Sequence, residues 1–325
     1  MASPFAGFEV EEELRPVARL FPFDLDRGLS SIVALESRIS PEAMTASSLG
    51  TERIGNAVVI GADGLMLTIG YLVTEADEVI VTTNAGARVH AHPLGVDQAT
   101  GFGLIQALGP LDLPPLPLGD SRTIGAEGAV IAAGGGGRAH ALTGRIAARA
   151  PFAGYWEYYL NEALYVEPAH PHWSGAALIG PDGDLLGVGS LRIEHLTKKR
   201  KVQPLNLFVP AELLPPILDD LAHGRPTSPP RPWLGVFTQE ISSHVVVVGV
   251  ATGGPAARAE LRQGDVIHRI AGERIRDQGG FYTRLWALGS PGVIVPLTIQ
   301  REGDVFDVEI RSADRTAMQR RRRLN

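Results

Sequence analysis

Nine histidines and no cysteine frame the chemistry open to this 325-residue chain. Four of the histidines form two His-x-His pairs, His90-Ala91-His92 and His170-Pro171-His172. Residues two apart on a strand face the same side, which is the spacing of a bidentate metal site. Neither pair has an identifiable third ligand, so surface histidines on loops or edge strands remain the plainer reading, and no cofactor is assigned. The lack of cysteine excludes disulfides, thiolate metal sites and a cysteine nucleophile. Lys198-Lys199-Arg200-Lys201 offers positive charge to an acidic partner or a phosphate, against the simpler reading of a solvated loop. Gly134 to Gly137 is a four-glycine run. A phosphate loop would continue into Lys and Ser or Thr at the start of a helix. Here Arg138-Ala139-His140 and a strand come next, so the run reads as a flexible turn.

The elements that must position these residues are short. A chain with 38 glycines and 24 prolines suits many strands joined by turns. Its length suggests about two domains. A net charge of -6 argues against a general binder of nucleic acid or anionic membranes. No run reaches the ~18 apolar residues of a membrane helix, so no span is expected. The first residues lack a basic stretch followed by an unbroken apolar one, so they are no secretory signal. The expectation is a cytoplasmic protein as written, or a periplasmic one if a leader was removed.

Residues 1–50 read as an irregular arm whose Phe5, Phe8, Phe21 and Phe23 pack on its own core or on a neighbouring subunit. Strand patterning begins near residue 51. Ile54 to Ile60 is an apolar run, turned by Ala62-Asp63-Gly64 into Leu65-Met66-Leu67-Thr68. Val79 to Thr83 alternates and is turned by Asn84-Ala85-Gly86. A second set starts near Val130 and includes Ala141 to Arg149, Ala163 to Glu167, and Ala176 to Leu191 with its Pro181-Asp182-Gly183 turn. Two sets of roughly six strands suggest two antiparallel barrels. A helix is expected over residues 211–222, with Pro215 and Pro216 near its first turn and Gly224 as its stop. Residues 223–232 form a Pro-rich linker, 233–311 a second domain, and 312–325 a basic tail containing the arginines Arg320 to Arg323.

Seven segments occur in a telling order: Asp63 to Thr68, Thr68-Ile69-Gly70-Tyr71-Leu72-Val73, Asp97 to Ile105, Leu118-Gly119-Asp120-Ser121, His172-Trp173-Ser174-Gly175-Ala176-Ala177-Leu178, Asp182-Gly183 to Gly187-Val188, and Phe208-Val209-Pro210. In this order they resemble the HtrA/DegP-like family of trypsin-fold serine proteases. The resemblance implies a mostly β chain: a trypsin-like double six-stranded antiparallel β-barrel over 51–222, followed by a PDZ domain over 233–311. It also implies a homo-oligomer, commonly a trimer in that family, joined through N-terminal segments.

By the same resemblance Ser174 holds the nucleophile position, but Tyr71 stands where the family has histidine and Gly101 where it has aspartate. His172 stands at a glycine whose N–H helps form the oxyanion hole. A phenol titrates near ~10 and is a poor base at neutral pH. Gly101 has no side chain to orient anything. A side chain at 172 makes the required backbone costly. Loss of single triad members already costs about 10⁴ or more. The expected protein is therefore a pseudoprotease. The alternatives are a residual serine endopeptidase using Ser174 with His170 or His172 as base, and a metal-binding scaffold through His90, His92, His170 or His172.

In the second domain Trp233-Leu234-Gly235-Val236 resembles the carboxylate-binding loop and groove strand of a PDZ domain. Gly254 to Leu261, Gly264-Asp265-Val266-Ile267 and Ala271 to Ile275 resemble later segments of such a domain, with Glu260 at a position where the family usually has glycine. The implied partners are extended peptides or protein C-termini added to a strand edge, their carboxylates held by backbone N–H groups at 234–236. A helix over 278–288 would form the other wall, with Phe281 and Leu285 facing either the groove or the core.

Overall fold

The computed structural model describes residues 3–125, 128–196 and 201–319. Most of the basic run at 198–201 and the arginines from Arg320 onward lie outside the described residues.

The chain divides into two compact units, each treated on its own. The first contains two closed six-stranded barrels. Its first barrel is built from β1 (Ile32–Ile39), β2 (Glu52–Val59), β3 (Leu65–Ile69), β4 (Ala76–Thr82), β5 (Arg88–Val96) and β6 (Phe102–Ala107), in the order β1-β2-β3-β6-β5-β4. The second uses β7 (Ala129–Ala133), β8 (Ala141–Gly154), β9 (Tyr158–Glu167), β10 (Ala177–Ile179), β11 (Leu185–Leu196) and β12 (Val202–Pro210), joined in the order β10-β11-β12-β9-β8-β7. The anticipated turns are made where Gly64, Gly86 and Gly183 adopt φ of 84°, 84° and 91°, a region glycine enters freely. Apolar residues of the strands are buried on both faces, as in β1, where Ile32, Val33 and Leu35 are all 0% exposed.

Three expectations for the first unit need correction. The stretch read as an arm contains β1, which pairs with β2 and with β4, so the barrel begins before residue 51. Its first residues pack on their own barrel: Phe5 is 5% exposed, and Phe8 and Val10 join the core of the second barrel. Residues 211–222 are not one helix. A 3-10 turn, Ala211–Leu213, and a short helix, Leu218–Ala222, flank Pro215 and Pro216, which cannot donate the hydrogen bonds a continuous helix needs. Gly134 to Gly137 is no flexible turn either. Gly135 N–H donates to Asn56 Oδ1 (2.8 Å), and a Cβ on Gly135 would lie 2.4 Å from the Ala34 nitrogen.

The second unit comprises residues 228–319 together with Pro151–Asn161, which are the end of β8, the start of β9 and the turn between them. It holds the strands β13 (Pro232–Trp233), β14 (Val236–Ile241), β15 (His244–Val250), β16 (Val266–Ile270), β17 (Glu273–Arg274), β18 (Ile294–Arg301), β19 (Asp304–Arg311) and β20 (Ala313–Asp314). The main sheet runs in the order β14-β15-β16-β18-β19. The small strand β17 pairs with β16, while β13 pairs with β20. The helix Gln278–Ala287 is capped by Asp277, whose side chain accepts from Gly280 N–H. Phe281 and Leu285 are both 0% exposed in the core of this unit, so the groove-lining role is corrected to a packing role.

Glu260 sits at φ 57°, a left-handed conformation that a Cβ disfavours. Its backbone carbonyl accepts from Arg301, a bond any residue can make. Glu260→Gly is therefore expected to stabilise this unit by about 0.5–1 kcal/mol, the relief of backbone strain exceeding glycine's added unfolded-state entropy. Urea unfolding would check this, and a lower midpoint would refute it.

Candidate functional site

Ser174 lies on the loop between β9 and β10, and Asn56 of β2 holds that loop. Asn56 is 0% exposed. Its Nδ2 donates to the carbonyls of His172 and Ser174, both at 2.9 Å, and its backbone N–H donates to Ser174 O at 2.8 Å. Thr68 Oγ1 in turn donates to Asn56 O (2.6 Å). Gly175, at φ 70°, lets the loop touch β2 so closely that a Cβ there would lie 2.0 Å from Asn56 O.

Tyr71 occupies the 3-10 turn Gly70–Leu72 that follows β3. Arg53, 5% exposed, fixes this turn by donating to the carbonyls of Tyr71 (2.6 Å) and Thr74 (3.0 Å). The phenol donates its only proton to Ser190 O at 2.7 Å. Its contact with Ser174 Oγ, also 2.7 Å, must then run from the serine O–H to the phenol oxygen. Burial pushes the phenol further above its ordinary range, so Tyr71 accepts a hydrogen bond from Ser174 without being a base for its proton.

Gly101 sits at φ 82°, with its carbonyl accepting from Gly70 N–H at 2.7 Å. The carboxylate in that segment, Asp97, closes its own loop by accepting from Thr100 N–H and Oγ1, both at 2.6 Å, and from Thr227 Oγ1. His172 N–H donates to His170 Nδ1 at 3.1 Å, which engages the amide that the resemblance assigns to an oxyanion. Because Nδ1 accepts, the His170 proton is on Nε2, where it reaches His140 O at 3.0 Å. Burial pulls His170 down to about 4, so it is neutral at pH 7. The His172 ring packs against Phe5 and Phe8, with centroids 4.4 and 4.5 Å away. Both histidines near Ser174 are thus directed elsewhere, and the described hydrogen bond of Ser174 Oγ is to Tyr71.

His90 and His92 lie on β5, with His90 Nδ1 3.9 Å from Glu78 Oε1. Among the described residues no group of three or more His, Asp or Glu side chains is placed to hold a metal ion.

In the second unit the amides at 234–236 converge as expected of an anion-binding loop. Their common acceptor is Glu157. Its carboxylate accepts from Leu234 N–H (3.1 Å), Gly235 N–H (2.7 Å) and Val236 N–H (3.0 Å). Burial pushes this carboxyl up to about 7, against the lowering effect of those amides and of Arg315. Trp233 and Leu234 are buried, and Gly235 turns the loop at φ 75°. Sequence reasoning missed Asn56, Arg53, His140 and Glu157. The one available signal was an acid amid the aromatics Tyr155, Trp156, Tyr158 and Tyr159.

Residues 55–188 match the family model for a trypsin-like peptidase domain, and residues 232–311 match that for a PDZ domain. A probable periplasmic serine endoprotease DegP-like protein of Halomonas elongata is 27% identical over 274 residues, covering 80% of this chain and 56% of its own. Its counterpart in Pseudomonas fulva is 28% identical over 265 residues, covering 78% and 54%. The chain carries a trypsin-like peptidase domain followed by a PDZ domain, and in this it is similar to the HtrA-like proteases. This HtrA-like chain spans about half the length of the curated relatives it matches. Its fold is shared with the HtrA-type protease AlgW solved with a decapeptide, at a TM-score of 0.53 and 22% identity, covering 90% of this chain and 97% of that one. A serine endoprotease from Yersinia pestis gives a TM-score of 0.52 at 20% identity, covering 90% and 98%. Among the described residues no helix is long and apolar enough to cross a membrane.

Proposed function

We propose that this HtrA-like protein is a pseudoprotease that binds extended peptides or protein C-termini through its PDZ domain. The observation that carries the reading is the hydrogen-bond order Ser174 to Tyr71 to Ser190, in which the serine proton faces an acceptor that cannot remove it. Acyl transfer also needs an oriented base and oxyanion donors. Gly101 supplies no carboxylate, and His172 N–H is engaged by His170. With base and orienting acid absent and one oxyanion donor engaged elsewhere, hydrolysis falls to background. The relatives are named as periplasmic, and we carry that location over in place of the cytoplasmic expectation, since an oxidising compartment makes no demand on a chain without cysteine.

The test is labelling with a fluorophosphonate probe, comparing the native chain with Ser174→Ala and with a triad-intact relative. The expected result is label on the relative alone. Label on the native chain that disappears in Ser174→Ala would overturn the reading and install the second one, a serine endopeptidase with a non-standard base.

A further inference from the structure

The turn between β8 and β9 lies in the second unit as a ligand would. An extended peptide added to an edge strand presents backbone groups to it at every second residue. β14 is such an edge. Thr238 N–H of β14 donates to Tyr155 O at 2.8 Å, and two residues further along the chain the Glu157 carboxylate meets the amides of 234–236. On the opposite wall Tyr282 Oη (2.7 Å) and Gln278 Nε2 (3.1 Å) both donate to Gly154 O. Ala153 and Tyr159 pack on the apolar core of the unit.

We propose that residues 154–157 are an internal ligand of the PDZ groove, with the Glu157 side-chain carboxylate in the seat of a chain terminus, so that an outside peptide binds by displacing them. The inference rests on the peptide-binding reading above. Two features separate it from ordinary packing. Glu157 is 7% exposed, although a buried carboxylate is costly wherever an apolar side chain would serve. It also adopts φ 57°, a backbone that glutamate rarely enters, and this conformation accompanies the delivery of its carboxylate to three amides. The other polar groups facing it are Arg315, whose Nη1 approaches Trp156 O at 3.4 Å, and Tyr282.

The partner this groove would admit is a protein or peptide end with a free α-carboxylate, because a carboxylate accepts from the three converging amides as Glu157 does, and charge strengthens those bonds. The test uses the full chain as native protein, as Glu157→Ala, and as Glu157→Gln, which keeps the side-chain shape should the alanine variant fail to fold. The probe is a labelled pool of decapeptides with four randomised final residues and a free carboxylate, read by fluorescence anisotropy beside the same pool amidated. Amide hydrogen exchange at 234–238 reports whether the seat is open. Glu157→Ala is expected to exchange faster and to bind the acid pool at least about tenfold tighter than native, with Glu157→Gln shifted in the same direction but less, because its Oε1 still accepts, and with the amidated pool ignored. A tenfold gain corresponds to a self-occupied form that makes up about nine-tenths of the native population. If the native chain binds the acid pool as tightly as the variants, self-occupation is wrong while the peptide reading stands. If exchange in the variants matches native, Glu157 does not hold the segment in place and the proposal is overturned. If the seat exchanges freely in the variants yet neither pool binds, it is the peptide-binding reading that fails.

Discussion

Gly175→Ala is expected to destabilise the double barrel by about 3–4 kcal/mol, combining a left-handed backbone penalty with a steric one. At φ 70° an added Cβ would stand 2.0 Å from Asn56 O and 2.8 Å from Thr68 Oγ1. The nearer atom is backbone in the middle of β2, so no side-chain rotation relieves the clash. Gly86→Ala is the control that separates the two contributions. Gly86 has φ 84° but nothing within 4 Å of its would-be Cβ, so it should lose only about 1 kcal/mol. Chemical unfolding of both variants would measure the difference. Equal losses would mean that the loop carrying Ser174 retreats from β2 at little cost, and the close approach would lose its significance.

Asn56→Ala should cost about 3 kcal/mol. Ser174 O keeps the Asn56 backbone N–H, so that carbonyl stays satisfied. His172 O and Gly135 N–H lose their side-chain partner, and a buried polar group stranded in this way costs roughly 1–3 kcal/mol. The same unfolding measurement reads it. A loss below about 1 kcal/mol would mean that water restores the missing bonds.

The strand architecture was legible because each turn announces itself locally. Asp63-Gly64, Ala85-Gly86 and Asp182-Gly183 each place glycine where the chain needs positive φ, and those residues are adjacent in sequence. β1 was not legible, because no hairpin turn introduces it and one of its partners, β4, is not its neighbour in sequence, with β2 and β3 between them. The helix expected over 211–222 failed because the two prolines sit inside the stretch rather than at its start. For Phe281 and Leu285, spacing along a helix could not distinguish a wall from a core. The site was half legible. Residue types at 71, 101, 172 and 174 raised the chemical question, but the direction of the Ser174 hydrogen bond depends on Ser190, whose carbonyl claims the Tyr71 proton. The role of Glu157 was invisible for the same reason: its amide partners lie 77 to 79 residues further along the chain.

Residues Pro151–Asn161 belong to the same compact unit as 228–319 although more than sixty residues separate the two stretches. A ligand tethered to its own receptor is present at a fixed effective concentration, on the order of millimolar for a short flexible tether, however dilute the protein becomes. On the proposed self-occupation, any outside chain end competes against that constant rival rather than against water. Dilution does not empty the groove, and raising the protein concentration does not fill it further. The result is a threshold: weakly held termini leave the groove unchanged, and only ends that bind tightly, or are presented in numbers, gain entry.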